Sequence, residues 1–278
     1  MTTSRHTSTL CLVLLLLGGC RAYKKQETSE VRIVGGEFPH MNPDQRTMAH
    51  TVSLIARATP NSAMRCTGVV IGPHQVVTAA HCLVNAKQLD IGIGPRYWRL
   101  PGIQTTNIMR HPRWTKGYHY DVGIVTFSGD LPDKVKPVPI ADKNNLKSGD
   151  TVLIAGYGSS GEVHPDLRGE FGFLRQVWVE VDLMEPETTT FTIKPYARKG
   201  GCHGDSGGPA FLDRGGKLEL IGLISGPSTD APCDEGHGTL TQIAKYQGWL
   251  KCAFQLAQNP LDTLADDESS VDCPASKG

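Results

Sequence analysis

Short apolar runs separated by turn residues recur along most of this 278-residue chain, and this pattern restricts its possible folds most strongly. Glycine occurs 31 times and proline 18 times, and both residues favour turns. Residues 177–181 alternate as expected for a strand with one buried face. Short strands with turns between them predict an all-β sandwich or barrel. The other strand-like runs are residues 51–55, 68–71, 76–78, 151–155 and 218–224.

One helix is predicted near the end of the chain, over residues 241–258. Tyr246, Leu250 and Phe254 recur every four residues, which is the spacing of one apolar helix face. The remaining residues, 259–278, are polar and acidic, and such a segment is usually a solvated tail.

The N-terminus has the features of an export signal. Residues 10–17 are an apolar run that is too short to span a bilayer but suits the core of a secretory signal. The run ends at Cys20, in a segment that resembles the bacterial lipobox, where the cysteine is lipidated. The alternative is an ordinary signal peptide cleaved nearby, after Ala22. We expect a signal peptide over 1–19, a polar linker or propeptide over 20–32, and an exported protein that is either membrane-anchored through lipid or secreted.

The charge balance excludes one large class of function. Lys and Arg number 28 and Asp and Glu also number 28, so the chain has no formal net charge. A nucleic-acid-binding protein needs a basic surface to displace counterions from phosphates, so we expect no nucleic-acid partner. A hydrophobic fraction of 39% excludes wholesale disorder.

The cysteines predict disulfide bonds. Two of the eight, Cys11 and Cys20, lie in the signal segment, which leaves an even set of six. An even set in an exported protein favours three disulfides, whereas a zinc site needs closely spaced ligands that this sequence lacks. We expect Cys252 and Cys273 to join the tail to the helix. The six are Cys66, Cys82, Cys202, Cys233, Cys252 and Cys273.

Three separate segments carry residues suited to nucleophilic catalysis. Ser206 lies among glycines, whose small size lets a backbone approach a reacting carbonyl and direct N–H groups at the oxyanion. A serine hydroxyl needs a base to take its proton, and a carboxylate to orient that base. His81 and Asp121 are the candidates, since the other histidines have no comparable setting and Asp121 opens an apolar strand.

Together these segments resemble the trypsin/chymotrypsin family of serine endopeptidases. The resemblance covers the chain order His, Asp, Ser and spans most of residues 33–258. Its motifs are Ile33-Val-Gly-Gly, Thr78-Ala-Ala-His-Cys, Asp121-Val-Gly-Ile-Val, Gly156-Tyr-Gly and Gly204-Asp-Ser-Gly-Gly-Pro. Gly123 replaces the usual alanine and Tyr157 the usual tryptophan.

The resemblance implies a fold and an activity. The fold is two antiparallel six-stranded β-barrels followed by a C-terminal α-helix, with the peptidase domain over residues 33–258. The activity is peptide-bond hydrolysis through an acyl-enzyme, with His81, Asp121 and Ser206 as the catalytic triad. The implied partners are protein or peptide substrates, and we expect a monomer that needs no cofactor and no metal.

The resemblance also implies two supporting features of the site. The N–H groups of Gly204 and Ser206 would bind the oxyanion, and losing such a donor typically costs about 3–4 kcal/mol of barrier. Two disulfides would brace the site: Cys66 with Cys82 at the histidine loop, and Cys202 with Cys233 at the walls of the specificity pocket.

The segment around Arg32 predicts a zymogen. The Arg32–Ile33 bond follows a basic residue in a polar stretch, so an activating trypsin-like protease can cut it. The new amino group of Ile33 would then pair with Asp205, since an unpaired buried carboxylate is unfavourable by several kcal/mol. If Cys20 is lipidated, the same cut would release the catalytic domain from the membrane.

The predicted substrate pocket departs from the trypsin type. Gly200 stands six residues before Ser206, where trypsin-like relatives have an aspartate at the pocket floor. Gly238 matches a small pocket-wall glycine, so a roomy uncharged pocket favours apolar or aromatic residues before the scissile bond. The usual Ser-Trp-Gly segment is Ser225-Gly226-Pro227, and Pro227 has no N–H for β-type pairing with substrate.

Two other functions are compatible with parts of this sequence. One is a binding protein that kept the protease fold and lost catalysis, which the altered segment at residues 225–227 favours and the intact triad opposes. The other is an esterase, whose Gly-x-Ser-x-Gly motif loosely fits around Ser206. The chain order His, Asp, Ser opposes the esterase, because that fold has the order Ser, Asp, His.

Overall fold

A computed structural model describes residues 33, 36–42, 44–59, 61–142, 146–159, 172–184, 187–194, 200–227, 233 and 237–258. These residues form thirteen strands, one α-helix and several short 3₁₀ turns. The predicted signal peptide, linker and tail (residues 1–19, 20–32 and 259–278) lie outside the described residues.

The first half of the chain forms an antiparallel sheet that curves into an open barrel. Its order is β5-β4-β1-β2-β3-β7-β6. The Thr105 hydroxyl of β6 donates a hydrogen bond to the Leu89 carbonyl of β4 at 3.0 Å, which brings the two sides of the sheet together. The strands are β1 (Thr51–Thr59), β2 (Ser62–Gly72), β3 (Gln75–Thr78), β4 (Gln88–Ile93), β5 (Trp98–Arg99), β6 (Gln104–Arg110) and β7 (Gly123–Ser128).

The second half forms a closed antiparallel barrel in the order β10-β13-β12-β11-β8-β9. Gly215 and Gly216 make the two-residue turn between β11 and β12, and both have positive φ, as such tight hairpins require. The strands are β8 (Thr151–Gly156), β9 (Arg175–Met184), β10 (Thr190–Lys194), β11 (Pro209–Arg214), β12 (Lys217–Pro227) and β13 (Gly238–Gln242).

Each barrel has its own core, and a third cluster joins them. Val69 and Val77 of the first barrel pack with Leu153 and Phe211 of the second in this joining cluster. The C-terminal helix contributes Trp249, Leu250 and Ala253 to the same cluster. The helix therefore holds the two barrels together, and the seam between them is the place where segments from both halves meet.

The predicted all-β fold with two barrels and a C-terminal helix is confirmed. All six predicted strand segments lie within strands, and β9 shows the expected alternation: Val177, Val179 and Val181 are buried while Trp178 is 42% exposed. This alternation follows from the two-residue period of a strand with one face on the core.

The predicted start of the helix, at residue 241, was wrong by six residues. Thr241 and Gln242 belong to β13, where Thr241 pairs with residues of β10 and β12. A 3₁₀ turn (Ile243–Tyr246) follows, and α1 (Gln247–Gln258) begins after it. Among the described residues, no helix has the length and apolar character needed to cross a membrane.

Candidate active site

Pairing of β3 with β7 brings the predicted base and its carboxylate together. His81 lies on a 3₁₀ turn (Ala80–Leu83) that follows β3, and Asp121 lies just before β7. The ladder pairs Thr78 with Gly123, so the two segments leave the sheet side by side. His81 Nδ1 lies 2.8 Å from Asp121 Oδ2, and the His81 backbone N–H donates to Asp121 Oδ1 at 2.8 Å.

Both barrels hold the Asp121 carboxylate. Its side chain is fully buried, while that of His81 is 29% exposed. The Ser225 hydroxyl, on β12 of the second barrel, donates to Asp121 Oδ2. Thr241 Oγ1 donates to the Asp121 carbonyl at 3.1 Å. The carboxylate therefore has a fixed position, and the imidazole that it orients keeps one side toward solvent.

The loop that carries Ser206 is fastened to the first barrel by Thr67. The Thr67 backbone N–H donates to the Ser206 carbonyl at 2.8 Å, and its hydroxyl donates to the Gly204 carbonyl at 2.9 Å. Thr67 Oγ1 also accepts a hydrogen bond from the Tyr157 N–H at 3.0 Å. Because Thr67 lies on β2, beside β3 and its histidine turn, these bonds set Ser206 close to the His81 segment.

The Ser206 and His81 segments meet at the Cys82 sulfur. Cys82 Sγ lies 3.6 Å from the Ser206 carbonyl oxygen and 3.7 Å from His81 Nε2. Within the described residues, no hydrogen bond joins Ser206 Oγ to His81 Nε2. Such bonds between nucleophile and base are often long or poorly aligned in the absence of substrate.

The backbone beside Ser206 presents two N–H groups. Gly204 has φ +94°, a left-handed conformation that glycine adopts without strain. In the described part of the chain, neither the Gly204 N–H nor the Ser206 N–H donates a hydrogen bond. Two neighbouring backbone donors without partners are suited to an anionic oxygen.

Asp205 is a fully buried carboxylate directly before Ser206. Its Oδ1 accepts from the Gly158 N–H and its Oδ2 from the Cys202 N–H, each at 2.8 Å. Burial raises the pKa of Asp205 to about 7, while these two hydrogen bonds and the nearby Arg175 charge act in the opposite direction. The carboxylate therefore lies where a positive charge would stabilise it.

Gly156 and Gly158 make room for this carboxylate. A Cβ at Gly156 would lie 2.1 Å from Asp205 Oδ1, and one at Gly158 would lie 2.7 Å from Asp205 Cγ. The Gly156-Tyr157-Gly158 motif therefore has a steric role, because neither position has space for a side chain. Tyr157 is buried between them, and its hydroxyl donates to the Gly94 carbonyl at 2.8 Å.

Two disulfides brace the site. Cys66 is bonded to Cys82, beside the histidine turn, and Cys202 is bonded to Cys233, beside the Ser206 loop. Cys252 is also disulfide-bonded, and its predicted partner Cys273 lies outside the described residues.

One cluster near the site has the composition of a metal site but not its chemistry. Side-chain atoms of Cys66, His81 and Cys82 lie within 4.8 Å of one another. The two sulfurs are bonded to each other, and a disulfide offers no thiolate to a metal.

The predicted activation residues are only partly described. Ile33 is 1% exposed and packs in the core of the second barrel with Val152 and Ile154. Arg32 and Cys20 lie outside the described residues. The buried side chain of Ile33 places this end of the domain inside the barrel that carries Asp205.

Two of the predicted pocket residues, Gly200 and Gly238, lie close to neighbouring segments. Gly200 is buried, and a Cβ there would lie 3.5 Å from the Cys233 carbonyl oxygen, so it lies beside the disulfide. At Gly238 a Cβ would lie 2.9 Å from Ile193 Cγ1, so a glycine at this position leaves room for the Ile193 side chain. Residues 195–199, 228–232 and 234–236 complete the segments around Gly200 and Cys233, and they lie outside the described part of the chain.

The structure adds two residues that the sequence did not single out. Thr67 fastens the Ser206 loop, although a threonine in a strand carries no mark of such a role. Tyr118, three residues before Asp121, donates from its hydroxyl to the Pro227 carbonyl. A contact across 109 residues of chain depends on the tertiary fold, so no local sequence signal announces it.

Comparison with known proteins identifies the family to which the chain is related. The trypsin family model matches residues 39–250. Trypsin epsilon of Drosophila erecta is 32% identical over 216 residues, which cover 67% of this chain and 76% of that protein. Kallikrein-8 of Mus musculus is 27% identical over 258 residues, covering 86% of this chain and 92% of the relative.

A solved structure supports the same fold. The HL collagenase structure superimposes with a TM-score of 0.64 at 20% identity, covering 75% of this chain and 94% of that chain. At this identity the likeness concerns the fold alone. The family match covers most of the chain and includes all three predicted triad positions, and the chain therefore belongs to the trypsin family of serine endopeptidases.

Proposed function

We propose that this protein is an active serine endopeptidase that cuts peptide bonds through an acyl-enzyme. Ser206 Oγ attacks the scissile carbonyl while His81 Nε2 takes its proton, and His81 then gives that proton to the leaving amine. Water, deprotonated by the same imidazole, hydrolyses the acyl-enzyme. Asp121 keeps Nδ1 protonated and stabilises the imidazolium that forms.

One observation carries this proposal: a fully buried carboxylate lies 2.8 Å from the Nδ1 of a partly exposed histidine, beside the Ser206 loop. Burial without a structural cation is unfavourable for a carboxylate unless hydrogen bonds satisfy it. Asp121 receives them from the His81 backbone and ring and from Ser225. This arrangement favours a base that is oriented for proton transfer.

The two free N–H groups support the second part of the mechanism. A carbonyl attacked by Ser206 becomes an oxyanion, and the Gly204 and Ser206 N–H groups are the donors that would bind it. The Ser206 backbone is held by Thr67 beside the segment that carries His81.

We further propose that the protein is made as a zymogen. In the uncut chain the Ile33 nitrogen is an amide and brings no charge to the second barrel. Cleavage after Arg32 would free an ammonium group, which would pair with the buried Asp205 carboxylate and order the adjacent Ser206 loop. The raised pKa of Asp205 supports this, because it reflects a carboxylate in need of a positive partner.

The proposed specificity is for apolar or aromatic residues before the scissile bond. Gly200 places no charge beside the Cys202–Cys233 disulfide, so an Arg or Lys side chain would find no carboxylate from that position. Apolar side chains are stabilised in such a site by about 25 cal/mol per Å² of buried area.

Labelling by a fluorophosphonate probe tests the proposed activity. Three forms are compared: the full chain with Arg32→Gln, the chain starting at Ile33, and that shorter chain with Ser206→Ala. We expect labelling of the Ile33 form only, because the uncleavable form lacks the free amine and Ser206→Ala lacks the nucleophile.

Ser128→Ala is the matched control, since Ser128 is an exposed serine at the end of β7. It should be labelled as strongly as the parent chain. If a folded Ile33 form were not labelled, the proposed activity would be wrong and the non-catalytic binding protein would become the better hypothesis. Equal labelling with Arg32→Gln would contradict the zymogen alone.

We also propose that the protein is exported and that Cys20 carries lipid. Cleavage after Arg32 would then separate the domain from its anchor, so activation and release from the membrane would be one event. Partition of the protein between detergent and water before and after cleavage tests this. Activated enzyme that remained in the detergent phase would contradict it, and Cys20→Ser should leave both forms in water.

A further inference from the structure

Among the described residues, the end of β12 has an unpaired edge next to the Ser206 loop. β11 pairs with β12 only as far as Pro209 opposite Leu223, and Ile224 makes the last contacts, with Gly207 and Gly208. β13 covers the other side of β12 as far as Pro227. Beyond Ile224 one side of the strand therefore faces the seam where Ser206 lies. An exposed strand edge of this kind can accept an extended peptide as an added strand.

Pro227 removes one of the two backbone groups with which such a peptide would pair. A proline has no N–H, so this position cannot donate to a peptide carbonyl. Its own carbonyl oxygen accepts a hydrogen bond from the Tyr118 hydroxyl. A peptide therefore finds no donor at this position, and it must compete with the Tyr118 hydroxyl for the carbonyl oxygen.

Tyr118 also covers the neighbouring residue. A Cβ at Gly226 would lie 2.9 Å from Tyr118 Cε1, so the ring occupies the space that a side chain at this position would fill. Tyr118 is 37% exposed, which places it at the surface of the seam rather than in the core.

The two residues that follow Tyr118 hold its loop against segments of the second half of the chain. His119 Nδ1 lies 3.0 Å from Thr189 Oγ1, and the Tyr120 N–H donates to the Tyr246 hydroxyl at 3.1 Å. With these two contacts the backbone beside Tyr118 is held, and the side chain is the part that can move.

We infer that Tyr118 determines specificity by preventing extended peptides from pairing with the edge of β12 at Gly226 and Pro227. This inference rests on the proposed endopeptidase function. The protein then selects substrates through the residues next to the scissile bond and gains little from residues further toward the substrate's N-terminus. Tyr118→Phe frees the Pro227 carbonyl oxygen, so one substrate N–H can use it.

The test compares peptide amides with two and with four residues before the scissile bond. For the parent Ile33 form we expect kcat/KM to change by less than about threefold with length. Tyr118→Phe should raise kcat/KM about fivefold for the longer substrate only, the size expected for one net hydrogen bond. Methylating the backbone nitrogens of that substrate one at a time should abolish the gain at a single position.

Two further variants separate the hydroxyl from general effects. Gly226→Ala keeps the hydroxyl but displaces the ring through the 2.9 Å contact, and it should produce the same dependence on length. Tyr97→Phe, on the connection from β4 to β5, removes a hydroxyl elsewhere and should change neither substrate.

A second readout keeps this inference apart from the proposed activity. Dissociation constants of the two peptides are measured with Ser206→Ala, alone and combined with Tyr118→Phe, so that no turnover is required. A gain in affinity for the longer peptide alone supports the inference even if fluorophosphonate labelling fails. A gain in affinity for both peptides would overturn the inference. So would a parent chain that already binds the longer peptide more tightly and loses this preference when the peptide is N-methylated.

Discussion

Ser225 on β12 donates a hydrogen bond to Oδ2 of Asp121 across the seam between the barrels. The same carboxylate oxygen lies 2.8 Å from His81 Nδ1. Asp121 is thus fixed by one residue from each barrel, and the position of His81 depends on how the barrels are joined. The joining cluster around Trp249 and Leu250 is therefore part of what the site requires.

Ser225→Ala should weaken both the fold and the proposed activity. The change leaves a fully buried carboxylate with one donor fewer, and hydrogen bonds to charged groups contribute about 1.5–3 kcal/mol. We expect the free energy of unfolding to fall by about that amount in urea, and kcat to fall with it. Ser128→Ala, at an exposed serine, is the control for both measurements. Unchanged stability would mean that solvent or another group replaces the Ser225 hydroxyl.

Sequence reasoning located the features that depend on local pattern. The alternation of residues 177–181 predicted the buried and exposed faces of β9, because a strand's period is fixed by its backbone. The spacing of apolar side chains located the helix, whose start was misplaced because Thr241 continues a β-ladder with Leu223. A ladder partner 18 residues away overrides local helical spacing.

Contacts between distant segments were beyond the reach of local pattern. Thr67 reads as an ordinary strand residue, yet it holds the loop that contains Ser206. The sequence shows that Pro227 has no N–H, but it does not show which group donates to the Pro227 carbonyl. Tyr118 reaches that carbonyl only when the two barrels are packed together. Such roles depend on tertiary placement and have no signature in residue spacing.

Gly207→Ala should disrupt the loop that carries Ser206. Gly207 has φ +77°, and an added Cβ would lie 2.4 Å from the Thr67 carbonyl oxygen and 2.8 Å from the Ala79 nitrogen. Left-handed strain and overpacking together should lower the free energy of unfolding by about 2–5 kcal/mol. Urea unfolding measures the loss, and fluorophosphonate labelling should also fall.

Gly215→Ala is the matched control for this substitution. Gly215 also has positive φ, at +61°, but an added Cβ there would meet no atom within 4 Å. Gly215→Ala should lower the free energy of unfolding by about 1–2 kcal/mol, from backbone strain alone. Fluorophosphonate labelling should not change. Equal losses at both positions would mean that the close packing around Gly207 relaxes freely.

In the uncut chain, the contribution of Asp205 to stability should fall as the pH rises from about 4 to about 7. Burial raises the pKa of Asp205 to about 7, so over this range the folded carboxyl keeps a proton that the unfolded chain has released. Stability falls wherever the folded state binds more protons, and it levels off above pH 7. The Asp205 contribution is roughly 4 kcal/mol over the whole window.

Two variants isolate this effect. Asp205→Asn in the Arg32→Gln chain should remove the part of the fall in unfolding free energy that Asp205 causes. The Ile33 form should remove it as well, because a free ammonium group favours the charged carboxylate. Urea unfolding at several pH values gives the curves. If the cut and uncut chains had parallel curves, the pairing of Ile33 with Asp205 would be contradicted.

His111 should lower the stability of the protein as the pH falls, which is opposite to the effect of Asp205. Its ring is 1% exposed and packs against Tyr120, Tyr246 and Trp249, with centroids 5.0–5.3 Å away. The Arg113 N–H donates to Nδ1 at 3.3 Å, and within the described residues Nε2 has no partner. Burial, aided by the Arg113 charge, lowers the pKa of His111 to about 4, so the folded ring stays neutral.

The unfolded chain takes up this proton near pH 6.5, so the His111 contribution to stability is present above that pH and is lost as the pH falls toward 4. His111→Phe keeps an aromatic ring and removes the titration, so its stability should fall less than that of the parent chain over this window. Urea unfolding from pH 7 to pH 4 measures the difference, with the exposed His74→Phe as control. A difference between His111→Phe and parent that stayed constant with pH would show that His111 is protonated in the folded state as readily as in the unfolded chain.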